Sequence, residues 1–314
     1  MSRVESRESK AVRLDEVFSA RPSTLDPRHA FTLIEVLVVM VLLSLIVLAL
    51  MAVFSTTQNA FRASVTQTDV LEGGRAAMDL IAADLRQMAP SLRASNDAVN
   101  FSAAVPPAYP SQALVQSLVG TSNPNIQRTN VLENLFILSR GNVNGVSTWY
   151  GTGYVVDWTN ATSINPLYRF SRTTNASADP AGLYSMFTNA VYYGEWTNMS
   201  HLIDGVVDFR ARAFGPDGFW MTNVYDKYGG QTNINKNAFF LAPVLGEVGF
   251  STFSNTLPAS VEIELGVLED RTLQRAESIG NPVIRSNYLA QQAGKLHVFR
   301  QSVSIPNVDP SAYQ

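Results

Sequence analysis

From Val36 to Phe61 the chain runs for 26 residues without a formal charge, and Val36 to Phe54 is almost wholly Val, Leu, Ile, Met, Ala and Phe. About 20 apolar residues at a rise of about 1.5 Å each cross the hydrocarbon layer of a bilayer. In lipid the backbone must satisfy its own hydrogen bonds, so such a run is expected to be helical. One carboxylate, Glu35, stands at its start. An ionisable group costs roughly 2.5–3.5 kcal/mol at mid-bilayer and less near the surface, so its placement points to a function. An ordinary secretory signal does not account for the run. It needs an apolar core of about 7–15 residues followed closely by a small-residue cleavage site. A plain single-span anchor explains the length but gives no reason for Glu35.

The stretch Ala30-Phe31-Thr32-Leu33-Ile34-Glu35, followed at once by the unbroken apolar run, resembles the processing site of type IV prepilins and type II secretion pseudopilins. Ala30 stands where that family usually has Gly. The resemblance implies cleavage between Ala30 and Phe31 by a prepilin peptidase, methylation of the new amine, and an assembly role for Glu35. Residues 1–30 then form a cytoplasmic leader. That leader is polar, is broken by Pro22 and Pro27, and holds six basic and five acidic residues. Its removal takes the net charge from −3 to −4. Arg21 and Arg28 precede the span, and flanking positive charge favours the cytoplasmic side, which puts the rest of the chain outside.

After the transmembrane part, residues 31–61, the helix is expected to continue to about residue 90. Met78, Ile81, Leu85 and Met88 recur on one helical face and are assigned to packing against a sheet. Pro90 is the natural stop. The pair Gly73-Gly74 weakens the helix by up to about 1 kcal/mol per Gly and marks a bend or a local weak point. Residues 91–132 read as a long loop with a short helix near Gln112–Leu118.

Strands are expected at Leu135–Leu138, Gly153–Trp158 and Leu167–Arg172, then an aromatic insertion at 173–200. Val207, Phe209, Ala211 and Ala213 alternate with Asp208, Arg210 and Arg212. Gly215-Pro216-Asp217-Gly218 signals a turn, and Phe219-Trp220-Met221 restarts an extended run. Val261, Ile263, Leu265 and Val267 form another alternating strand, and Lys295 to Ile305 a last one. No strand–helix alternation supports a parallel sheet. The fold class is therefore α+β: a long N-terminal helix on an antiparallel sheet domain, residues 91–314.

Within the family, Gly74–Gln87, Leu202–Val206, Phe209–Phe214 with the Asp217-Gly218 turn and Trp220, and Leu257–Leu265 are similar to the J-class minor pseudopilin. This resemblance implies a structural subunit at the tip of a secretion pseudopilus. It implies I- and K-class minor pseudopilins and the major pseudopilin as partners, in the inner membrane and periplasm. The insertions at 91–132, 173–200 and 225–256 exceed that class. A minor type IV pilin is the alternative, and a membrane-anchored periplasmic enzyme is a second.

Composition narrows the rest. A net charge of −3 leaves no basic footprint for nucleic acid. With no cysteine, disulfides and thiol chemistry are excluded. No cofactor motif, nucleophile–base pair or metal-ligand spacing stands out. His29 falls in the leader, and His201 and His297 are isolated in sequence. Asp204, Asp208 and Asp217 lack the dense oxygen spacing of a calcium loop and read as strand-edge and turn residues.

Overall fold

A computed structural model describes residues 32–93, 98–105, 115–117, 127–159, 163–221, 238–240 and 249–313. The leader, Ala30 and Phe31 lie outside the described residues. The chain divides into two compact units, Met1–Asn59 and Ala60–Gln314. The elements in order are α1 (Leu33–Arg86), β1 (Val99–Ala104), β2 (Val115–Ser117), β3 (Gln127–Thr129), β4 (Asn134–Val143), β5 (Val146–Val156), β6 (Asn165–Asn175), α2 (Ala181–Tyr192), β7 (Ser200–Phe214), β8 (Ala238–Phe240), β9 (Phe250–Phe253), β10 (Ser260–Leu268), α3 (Asp270–Glu277), α4 (Pro282–Gln291) and β11 (Leu296–Ser304).

In the second unit nine strands form one antiparallel sheet in the order β11-β10-β7-β6-β5-β4-β1-β9-β8, and β2 pairs with β3 separately. The class is α+β, as the periodicity predicts. The C-terminal part of α1 packs on one face. Val70, Gly74, Ala77, Met78, Ile81, Ala82, Leu85 and Met88 are buried at spacings of three, four and one, so they form one helical stripe. Against it lie Leu135, Ile137, Phe209, Ile263 and Leu265 in the same core. Pro90 follows the helix, whose last turn is tied down. Ala89 N donates to Leu138 O at 3.0 Å, and Asn307 Nδ2 donates to Met88 O at 2.9 Å.

The Gly73-Gly74 pair is a close-contact site in an unbroken helix. A Cβ at Gly74 would lie 2.2 Å from the Phe299 ring of β11, and one at Gly73 would lie 3.3 Å from Ile203 of β7. Helix–sheet contact at that distance excludes any larger residue at Gly74, which outweighs the propensity cost of glycine.

The other sheet face carries the three shorter helices. Along β5 alternate residues point to opposite faces, Tyr154 toward α1 and Gly153 away from it. A Cβ at Gly153 would sit 2.3 Å from the Phe187 ring, so β5 forms a floor on which α2 lies. Leu183 and Phe187 belong to the main core. The 173–200 stretch is therefore the end of β6 plus a packed helix. Near β7 and β10, Leu273 and Ala276 of α3 and Leu289 of α4 close a smaller core with Val207, Leu268 and Leu296.

Two local expectations fail. The 91–132 region contains strands β1, β2 and β3, and the helix expected near Gln112–Leu118 is absent from Val115–Ser117, which is extended. β1 escapes sequence reading because its polar residues are buried. Asn100 accepts from Ser91 N at 2.9 Å and donates to Ser254 O at 2.9 Å and Thr256 O at 3.1 Å, all through its side chain. The turn at Gly215–Gly218 forms, with Gly218 at φ +77° and Asp217 accepting from Phe219 N at 3.1 Å. After it, Phe219-Trp220-Met221 makes an isolated bridge from Trp220 to Phe214 and no strand.

Burial of Ile81 or Leu85 stabilises the fold by roughly 1.5–3 kcal/mol each. Ile81→Asp or Leu85→Asp is expected to unfold or aggregate the domain. Urea melts of both variants that overlay wild type would show that the stripe is misassigned.

Candidate functional site

Helix α1 begins with a reciprocal pair of contacts. Thr32 precedes the helix, and its Oγ1 accepts from Glu35 N at 3.4 Å. Glu35 Oε2 accepts in return from Thr32 N at 2.8 Å and from Thr32 Oγ1 at 2.9 Å. This is a capping box, in which an N-cap Thr and a Glu three residues later satisfy each other's backbone donors. Thr32-Leu33-Ile34-Glu35 carries that signature in sequence, at the very start of the apolar run. The carboxylate also lies at the positive end of the helix dipole, which favours its charge. Both bonds use Oε2, and Oε1 has no hydrogen-bond partner among the described residues.

Beyond Glu35 the helix keeps its polar groups to itself. Ser44 Oγ donates to Met40 O at 2.8 Å, Ser55 Oγ to Ala52 O, Thr56 Oγ1 to Ala52 O and Thr57 Oγ1 to Val53 O, each at 2.9 Å. No hydroxyl there requires water, as a hydrocarbon environment demands. By length and composition the helix can cross a membrane. Its large apolar side chains from Leu33 to Phe54 are all exposed, between 48% and 84%. Such a surface needs lipid or other helices to cover it.

The remaining sequence candidates scatter. His201 and His297 are not isolated. His201 Nε2 lies 2.9 Å from Asp204 Oδ1, and His297 Nε2 lies 3.4 Å from Glu269 Oε1, while Glu269 Oε2 lies 3.5 Å from Lys295 Nζ. Asp208 is fully buried and accepts from Arg210 Nε at 2.9 Å and Val131 N at 2.7 Å. It is a structural carboxylate. Asp204, Asp208 and Asp217 do not converge, and among the described residues no group of three or more His, Cys, Asp or Glu could hold a metal.

A partly buried polar triad on the helix–sheet seam was not anticipated. Asp84 of α1 accepts from Arg169 Nε at 2.9 Å, from Arg169 Nη2 at 3.1 Å and from the Tyr154 hydroxyl. Burial, reinforced by the Asp84 charge, pushes the Tyr154 hydroxyl well above the usual phenol range, so it remains a neutral donor. Its place on the helix–sheet seam makes this triad structural.

Comparison with known families agrees with the N-terminal geometry. The family model of the prokaryotic N-terminal methylation motif matches residues 26–54, which span Ala30, Phe31 and Glu35. No curated protein and no solved structure matches the chain. The motif supports a type IV pilin-like chain, and its helix is consistent with a single membrane anchor.

Thr32→Val removes the hydroxyl from both sides of the box. Loss of an N-cap costs about 0.5–2 kcal/mol. Amide exchange at Leu33 to Glu35 in lipid is expected to speed up about threefold or more in Thr32→Val and to stay near wild type in Thr32→Ser. Equal exchange in all three chains would show that the box does not order the helix start.

Proposed function

We propose that this chain is a minor pseudopilin-like subunit of a type II secretion pseudopilus. In this reading α1 holds it in the bacterial inner membrane, the sheet domain lies in the periplasm, and neighbours of the I and K classes place it at the filament tip beside the major pseudopilin. The observation that carries the reading is a coincidence at one end of the helix. The methylation motif falls on a carboxylate that already caps its own helix and keeps one oxygen unused. An apolar surface that a single chain leaves uncovered follows directly. The work of such a subunit is assembly, without turnover of a substrate.

Processing between Ala30 and Phe31 would create an amine on the residue next to Thr32, about one helical turn from Glu35. In a bundle of apolar helices an unpaired carboxylate is costly, and a positive partner relieves the cost. Glu35 Oε1 is free to meet an amine while Oε2 keeps the cap. An amine from an adjacent subunit would set axial register, a use for which single buried polar contacts are suited.

Two measurements test this. Mass spectrometry of the membrane-extracted chain, from cells with an active prepilin peptidase, is expected to find a methylated N-terminal peptide starting at Phe31. Intact chain from Met1 would refute processing. Glu35→Ala is expected to insert and to be cleaved, yet to lose co-purification with neighbouring subunits by tenfold or more. Wild-type recovery would remove the assembly role of Glu35. Reproducible turnover by the sheet domain in a broad hydrolase screen would favour an enzyme instead.

A further inference from the structure

The chain contains one Asn-Gly pair, Asn144-Gly145, and two Asp-Gly pairs, Asp204-Gly205 and Asp217-Gly218. Such pairs can react with themselves. The backbone nitrogen of the second residue lies within reach of the side-chain carbonyl carbon of the first. Glycine has no Cβ to crowd that approach. How each pair is held decides whether it reacts.

The two Asp-Gly pairs are held. Asp204 Oδ1 lies 2.9 Å from His201 Nε2. Gly205 is buried, and a Cβ there would lie 2.9 Å from Leu268 O, so its backbone is packed. Asp217 Oδ1 accepts from Phe219 N at 3.1 Å, and Gly218 N donates to Gly215 O at 3.0 Å. Both groups that would have to meet are already engaged. An ionised carboxylate is also a poorer electrophile than an amide.

Asn144-Gly145 is different. It forms the two-residue turn between β4 and β5, with φ +52° at Asn144 and +85° at Gly145. Two positive φ values are those of a type I′ hairpin turn, for which Asn-Gly is the favoured pair. Both residues are exposed, and nothing lies within 4 Å of a Cβ placed on Gly145. Among the described residues the Asn144 side chain has no hydrogen-bond partner and Gly145 N makes no backbone bond. The strands beside the tip are short of it. β1 meets β4 no further than Ile137, and β6 meets β5 only from Thr148. The pair Val143↔Val146 therefore closes the tip alone, and the turn can open without disturbing the rest of the sheet.

We propose that Asn144 is a site of spontaneous deamidation. Gly145 N gives its proton to hydroxide and attacks Cγ of Asn144. The N–Cγ bond forms and the Cγ–Nδ2 bond breaks. Nδ2 takes a proton from water and leaves as ammonia. Water then opens the five-membered imide at one of its two carbonyl carbons. Opening at Cγ leaves Asp at 144, and opening at the main-chain carbonyl leaves isoaspartate. Nothing is oxidised or reduced, and water is the only co-reactant. Either product sets a carboxylate between Val143 and Val146, which are 42% and 51% exposed. Asp-Gly suits the same turn, so the Asp product keeps the hairpin. Isoaspartate adds one atom to the main chain and breaks the Val143↔Val146 pairing. This modification stands on the hairpin alone and does not depend on the filament reading.

The test incubates the full chain in detergent in mildly alkaline buffer, beside the same chain unfolded in urea. Peptide mapping by mass spectrometry follows every Asn and both Asp-Gly pairs, with isoaspartate resolved from Asp. In folded chain Asn144 is expected to convert to a mixture of isoaspartate and Asp, at least tenfold faster than any other described Asn. Its rate stays within tenfold of the rate in urea, whereas isomerisation at Asp204 and Asp217 slows by more than tenfold on folding. Conversion of Asn144 more than tenfold slower in folded chain than in urea overturns the proposal, because the hairpin then protects the pair. Formation of Asp without isoaspartate also overturns it, because the imide is then not on the path.

Discussion

The sheet domain depends on how Asp84 is held. It is a carboxylate on the buried side of a helix, 13% exposed, and it would oppose folding if left alone. Arg169 meets it with two hydrogen bonds and Tyr154 with a third. The partners come from adjacent strands, Tyr154 directly opposite Arg169 in the β5–β6 register. One side chain of α1 therefore reads two strands at once, and sliding the helix by a turn would break all three bonds. Apolar contacts such as Ile81 and Leu85 hold the helix down but tolerate small shifts, because burial has no direction. The triad supplies the direction. Removing one partner of this partly buried pair leaves a charge and its hydrogen-bonding groups unsatisfied, which costs more than the loss of one neutral hydrogen bond.

The apolar half of α1, long enough to cross a membrane, follows a different rule. No side chain there is paired with another part of the described chain, and its hydroxyls return to their own helix. What it offers to its surroundings is apolar area and one acid. The capping box limits what that acid can do. Glu35 is not a free charge in search of a partner, because Oε2 already satisfies the first turn. An amine that approached Glu35 would meet a carboxylate already ordered by its own helix start.

Much of the fold was legible where periodicity and burial agree. The stripe from Met78 to Met88 and the alternation at Val261, Ile263, Leu265 and Val267 correspond to buried positions. Alternation says which side of a strand faces the main core, and it does not say whether the other side is covered. Asp208, Arg210 and Glu264 read as solvent-facing, yet all are buried. Opposite charges across strands, Arg210 beside Glu264 and Glu264 beside Arg300, let that face close without unpaired ions. Strand β1 was missed for a related reason, since Asn100 and Ser102 look like loop residues until their partners are in place. In β5, Gly151 and Gly153 carried a signal for a closely packed helix that no local rule of strand formation requires. At the candidate site the processing motif and Glu35 were evident from residue type. The cap itself needed only the Thr32–Glu35 spacing.

The two sheet faces differ in what covers them. The α1 face carries the Asp84 triad, and the helix that covers it also carries the apolar segment long enough to cross a membrane. The opposite face is built from α2, α3, α4 and a ladder of paired charges. Strands carry the connection between them, since Phe299 and Arg300 of β11 are neighbours that point to opposite sides. Phe299 meets the helix at Gly74, and Arg300 meets Glu264.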